Sequence, residues 1–212
     1  MKTRALVAQG YLIVGLTLLS GTAARAQSFS LSPNIGLYIP TQEIIQQVAA
    51  GATTAELQKQ EIGLTLGGRM ALWLGSRVGL EATGAYAPSR LRRSLAGTQT
   101  LTDASLFTGS GRLTVNVLPP KFPLVLALSG GAAVINRGGT AYANISPRTD
   151  IGFSSGVSFG VRIGRLFSFV VSGDNFLYKP KFALPGLPAP PTQNDINLSF
   201  GLGLMGMGMG GR

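Results

Sequence analysis

The chain has 212 residues, enough for one domain, with 18 Lys and Arg against 8 Asp and Glu and a pI near 10.7. It contains no Cys and no His, which excludes disulfides and thiolate metal sites and removes the commonest general base and metal ligand. Only 12% of residues are charged, 30 are Gly, and the mean hydropathy is +0.29. A soluble domain carries about 25% charge, so much of this chain's surface faces something other than water. Past residue 26 no apolar run approaches the ~20 residues of a membrane helix. That leaves a closed barrel, the other structure that satisfies every backbone hydrogen bond in lipid.

Residues 1–26 read as a cleaved signal peptide. Lys2 and Arg4 precede an apolar stretch from Ala5 to Leu19, and Ala24-Arg25-Ala26 supplies small residues at −3 and −1, so cleavage is expected between Ala26 and Gln27. No Cys follows the apolar stretch, which excludes a lipoprotein anchor. Fifteen basic and eight acidic residues remain after the cut. They are scattered rather than clustered, against a nucleic-acid partner.

From there apolar residues recur with period two, the signature of strands. Phe29, Leu31, Pro33, Ile35, Leu37 and Ile39 oppose Ser, Asn, Gly and Tyr38. Ile62, Leu64, Leu66, Met70, Leu72 and Leu74 oppose Glu61, Gly63, Thr65, Arg69 and Ala71, and Val78, Leu80 and Ala82 oppose Gly79, Glu81 and Thr83. Further runs begin at Phe107, Leu124, Ile151, Phe167 and Ile196, the last ending at Leu204. Eight runs of roughly 9–13 residues suit tilted membrane strands of ~9–11 better than soluble strands of ~5–6. The apolar faces are almost free of charge. Arg69, Glu81, Arg112, Arg162 and Asp174 fall instead among the small residues of the other face, as in a narrow polar barrel interior. Such charges must pair, and Arg69 and Glu81, on either side of Gly75-Ser76, are natural partners.

Connections alternate in length. Gly75-Ser76-Arg77, Pro119 to Pro123 and Gly164-Arg165 are tight, whereas 40–60, 87–103, 136–150 and 179–194 are long. If the first strand starts in the periplasm, every tight turn is periplasmic and every long loop external. The first long loop, Thr41 to Gln60, has helical composition in Glu43–Gln47 and Ala55–Leu57, and a short helix capped by Thr41 is expected. The fourth is stiffened by Pro185, Pro188, Pro190 and Pro191.

Signal peptide, alternating runs and sorted loops together resemble the small outer-membrane β-barrels typified by the OmpA transmembrane domain and OmpX, over Ser28 to Leu204. The resemblance implies an all-β fold, an eight-stranded antiparallel up-and-down transmembrane barrel spanning 27–204, with a Gly/Met-rich tail at 205–212. It also implies location in the bacterial outer membrane and contact with its lipid, lipopolysaccharide and insertion machinery, the surface partner being unspecified. The family usually ends on an aromatic residue. This chain ends Met209-Gly210-Gly211-Arg212, with Phe200 as the substitute signal.

Among barrel enzymes of this kind, lipid A acyltransferases, deacylases and many surface proteases rely on a His, which this chain lacks. Ser/Lys chemistry would fall to Lys59, Lys121, Lys179 or Lys181, all in expected loops or turns. No cofactor or metal is expected. Gly67-Gly68, Gly130-Gly131 and Gly138-Gly139 read as bends or close packing rather than phosphate cradles. Arg90, Arg92, Arg93, Arg137, Arg148, Lys179 and Lys181 are candidate contacts for lipopolysaccharide phosphate at the outer rim. The function expected is structural, envelope-stabilising or surface-interacting, through the external loops. The alternatives are a barrel that binds or passes a small ligand or lipid, and a soluble periplasmic carrier resembling a lipocalin.

Overall fold

The computed structural model describes residues 28–43, 45–48, 55–95, 98–119, 122–143, 146–163, 166–181 and 190–206. The expected signal peptide at 1–26, residues 207–212 of the expected tail and residues 182–189 of the expected fourth loop lie outside them. Among the described residues ten strands form: β1 (Ser28–Pro40), β2 (Ile45–Val48), β3 (Ala55–Gln60), β4 (Gly63–Trp73), β5 (Val78–Leu95), β6 (Thr98–Asn116), β7 (Leu124–Gly138), β8 (Thr149–Ile163), β9 (Phe167–Tyr178) and β10 (Gln193–Gly206). Eight of them close a wall in the order β1-β4-β5-β6-β7-β8-β9-β10, with β10 antiparallel on β1 and every neighbouring pair antiparallel. The last strand runs to Gly206, two residues past the expected end of the barrel.

Period-two alternation decides which way each side chain points. On β8, Ile151, Phe153, Val157, Phe159, Val161 and Ile163 are exposed on the outside, while Asp150, Ser154 and Ser158 are buried within. The same holds around the wall, and the outward side chains of the crossing segments carry no charge among the described residues. Some three dozen large apolar side chains are exposed. A soluble protein seldom exposes an apolar patch beyond a few hundred Å², whereas a lipid-facing wall requires one. This contradicts the lipocalin-like alternative, whose apolar faces would point inward.

The β4–β5, β6–β7 and β8–β9 connections are short and share one end of the barrel. At the other end two expectations need correction. The expected helix of the first long loop is a hairpin, β2–β3, and Thr41 caps nothing: its hydroxyl donates to the Asn194 carbonyl. The expected loop 87–103 is mostly strand, since β5 runs to Leu95 and β6 starts at Thr98. With 18 and 19 residues, these strands exceed the ~9–11 that cross a bilayer. They project past the wall, where β3 pairs along β5 from Gln60↔Leu91 to Leu57↔Ser94. A strand partner along that open edge satisfies more backbone groups than an isolated short helix would.

The path from β3 to β4 is bulged. Leu66 pairs with Tyr86, but Gln60, six residues earlier, pairs with Leu91, only five residues further on. The extra residue flips the alternation, so that Gln60 faces inward above the bulge and Gly63 and Thr65 below it. The third outer connection holds a 3-10 turn, Thr140–Tyr142, entered through Gly139 at φ +89°, a conformation open to Gly at little cost.

Two outcomes test the wall. Folded protein should run faster on SDS gels unboiled than boiled. Val157→Arg, near the centre of the outward face of β8, should cost about 2–4 kcal/mol in urea unfolding from lipid vesicles. Unchanged stability would mean that this face does not meet lipid.

Candidate functional site

The interior is filled in layers. Nearest the short turns is a cavity of about 380 Å³, lined among others by Trp73, Asn116, Val125, Arg162, Ser168 and Val170 and bounded above by Arg69 and Glu81.

Next comes a ring of four charges. Arg69 on β4 donates from Nη1 to Glu81 Oε2 at 3.0 Å and from Nη2 to Asp174 Oδ2 at 2.9 Å. Arg112 on β6 places Nη2 3.0 Å from Glu81 Oε1 and Nη1 2.6 Å from Asp174 Oδ1. Each carboxylate thus bridges both guanidinium groups, and β9 is tied through the lumen to β4 and β6. Ser158 accepts from Arg69 at 2.9 Å and Ser154 from Arg112 at 3.2 Å. All four charged side chains are at least nine-tenths buried. Unpaired, each would cost several kcal/mol. Gly156 makes room for the ring: a Cβ there would lie 2.5 Å from Asp174 Oδ1 and 2.7 Å from Arg112 Nη1. Gly131 does the same for the β6 backbone, with a Cβ falling 2.1 Å from the Gly111 carbonyl oxygen.

Above the ring Tyr38, Ala87, Leu106, Ala133, Ile135, Phe176 and Tyr178 form an apolar layer. A second polar layer roofs it. Arg137 pairs with Asp150 and lies 5.1 Å over the Tyr178 ring, while Tyr38 and Tyr178 both donate their hydroxyls to Asp195 Oδ2. The Lys181 amide donates to Asp150 Oδ1 at 2.8 Å. Tyr142, in the 3-10 turn against β6 and β7, is buried and donates to Gln60 Oε1 on β3 at 3.1 Å. Burial pushes its hydroxyl up to about 12, so it keeps its proton at neutral pH.

The residues expected in the interior are placed as follows. Arg69, Glu81, Arg112 and Asp174 meet in the ring, with Arg69 and Glu81 as diagonal neighbours across β4 and β5. Arg162 lines the cavity beside Arg69 and Glu81, nearer the turns. Of the rim candidates, Arg90, Arg92 and Arg93 lie on the projecting part of β5, exposed, with Arg92 paired to Glu61 at 2.5 Å. Arg148, Lys179 and Lys181 are exposed in the outer connections, Arg148 donating to the Ala143 carbonyl. Arg137 is a correction. It is 1% exposed and points into the lumen, because β7 keeps its alternation through Ala133, Ile135 and Arg137 to its end, and so it cannot reach a lipid phosphate. Sequence reading missed Asp150 and Asp195, which with Tyr38 and Tyr178 build the upper layer. Strand alternation was the signal that would have found them. Inward-facing Arg69, Arg112, Arg137 and Arg162 balance Glu81, Asp150, Asp174 and Asp195, so the lumen of the described wall is neutral.

No family model matches the sequence, and no curated protein does. Solved structures do match the fold. The outer membrane protein OprG from Pseudomonas aeruginosa aligns with a TM-score of 0.66 at 12% identity, covering 86% of this chain and 97% of that one. The outer membrane protein AlkL, solved by solid-state NMR in DMPC bilayers, aligns with a TM-score of 0.61 at 11% identity, covering 89% and 94%. The chain therefore has the fold of the small eight-stranded outer-membrane barrels.

The ring predicts a steep energetic contrast. Asp174→Ala leaves Arg69 and Arg112 sharing one carboxylate and should destabilise the barrel by about 3–5 kcal/mol in urea unfolding. Glu61→Gln, which breaks the half-exposed pair with Arg92, should cost under about 1 kcal/mol. Similar losses in the two variants would remove the ring from its place in the energetics.

Proposed function

We propose that the protein is a plugged, non-enzymatic barrel of the bacterial outer membrane. It has a structural, envelope-stabilising or surface-interacting role and works from its outer rim rather than through its lumen. The observation that carries this is the double closure of the interior, by the Arg69–Glu81–Arg112–Asp174 ring and by the Arg137, Asp150 and Asp195 layer above it. Eight strands leave a lumen just wide enough for side chains to fill, and these side chains fill it with ion pairs whose opening exposes unpaired buried charge. Short turns face the periplasm in such barrels, which puts the hairpin sheet of β2, β3, β5 and β6 outside the cell. The carrier of any surface contact is then the part of the chain that exceeds what a bilayer needs.

The non-enzymatic reading rests on the chain's lack of His and on the engagement of the buried carboxylates with arginines or tyrosines. A second reading, in which the barrel holds a small ligand, is favoured by the cavity of about 380 Å³ at the turn end. Planar-bilayer recording separates the two. The plugged barrel should give no stable single-channel steps, and Arg112→Ala should raise the frequency of brief openings. Long-lived steps in the unaltered protein would overturn the plugged reading and favour passage.

A further inference from the structure

We infer that a groove on the outer rim, between the end of β1 and the β3–β4 junction, binds the phosphate of a phosphorylated glycolipid anchored in the outer leaflet. This rests on the rim-directed reading above and adds the site and the ligand class.

The groove follows from the bulge. The β1–β4 ladder ends at Tyr38↔Gly63, and above it the chain turns aside to pair with β5 as β3. The gap left between Ile39 and Pro40 on one side and Gln60, Glu61 and Ile62 on the other has a volume of about 490 Å³, with Arg92 and Lys59 also lining it. Its vertical order is that of a lipid. Below it Leu37 and Ile35 on β1 and Leu64 and Leu66 on β4 form an exposed apolar strip, between 43% and 64% exposed, suited to acyl chains. Ile62, 63% exposed, stands at the mouth. Above come two exposed cations on adjacent strands, since Lys59 pairs in register with Arg92. Glu61 accepts from Arg92 Nε at 3.1 Å and Nη2 at 2.5 Å through one oxygen. That holds the guanidinium over the groove and leaves its Nη1 side for a second acceptor. A phosphate seated there takes charge-assisted hydrogen bonds from Lys59 and Arg92 while its chains stay in the bilayer. A free phosphate gains nothing from the strip below, so the source is a membrane lipid.

The test uses folded protein in phospholipid nanodiscs titrated with lipid A, with phosphate-free lipid A and inorganic phosphate as separate arms. Lipid A should bind saturably, and the phosphate-free form at least tenfold more weakly. Millimolar inorganic phosphate should not displace lipid A. The double substitution Lys59→Gln and Arg92→Gln should weaken lipid A at least tenfold, Lys59→Gln alone should weaken it less, and Lys179→Gln, elsewhere on the rim, should change nothing. Heat-shifted migration on SDS gels confirms the fold of each variant, and all these positions are exposed. Equal binding by the double variant, equal binding of the phosphate-free lipid, or displacement by inorganic phosphate would each overturn the site. None of these outcomes bears on whether the lumen conducts, so failure here is distinct from failure of the plugged-barrel reading.

Discussion

Everything in this molecule depends on backbone hydrogen bonding in a medium that offers none. A peptide group buried in hydrocarbon without a partner costs several kcal/mol, so a wall of strands in lipid must close. Here it closes in one ring: β10 returns to β1 along nearly its whole length, and β5 pairs with β6 through eighteen positions. Closure fixes the alternation, and alternation sends one face to lipid and the other to the lumen. The outward face can then be only apolar or small. The inward face of an eight-stranded barrel has too little room for bulk water and too many side chains to be wholly apolar, so it becomes a set of polar layers joined by ion pairs and hydrogen bonds.

The ring of Arg69, Glu81, Arg112 and Asp174 is the consequence with the highest stakes. It draws from four of the eight wall strands and joins β9 to β4 and β6, on the far side of the barrel, through side chains alone. Buried ion pairs are poor sources of net stability, because desolvation offsets much of the attraction. Their contribution here is specificity: a one-residue slip in any of those strands would turn a charge into lipid. The glycines opposite them, Gly131 and Gly156, have the same logic, since a side chain at either would push the ring or its backbone apart.

Much of this was legible in the sequence, and the failures have physical causes. The crossing segments were plain because lipid on one side enforces alternation, broken from Ile151 to Ile163 only by Ser155 on the outward face. The projecting parts of β5 and β6 were not. Beyond the membrane the outward face meets water instead of lipid, so Ser89-Arg90-Leu91-Arg92-Arg93 carries arginines where an apolar residue would mark the period, and reads as loop. The β2–β3 segment carries helix-forming Ala, Glu, Leu and Gln, yet the open edge of β5 outweighs intrinsic propensity. Arg69, Glu81, Arg112 and Asp174 could be placed on the inner face because each sits mid-strand among small residues. Arg137, Asp150 and Asp195 lie at strand ends, where an inward charge and a loop charge look alike until the boundary is known.

The central claim is that a single alternating wall divides lipid from a packed polar lumen. Its most direct test is a spin-label scan along β8, from Asp150 to Ile163, in lipid vesicles, reading accessibility to oxygen and to a water-soluble nickel reagent. The account predicts strict period two, with Ile151, Phe153, Val157, Phe159, Val161 and Ile163 open to oxygen, and Ser154, Ser158 and Gly160 shielded from both. Oxygen access at the even positions, or no alternation at all, would contradict it.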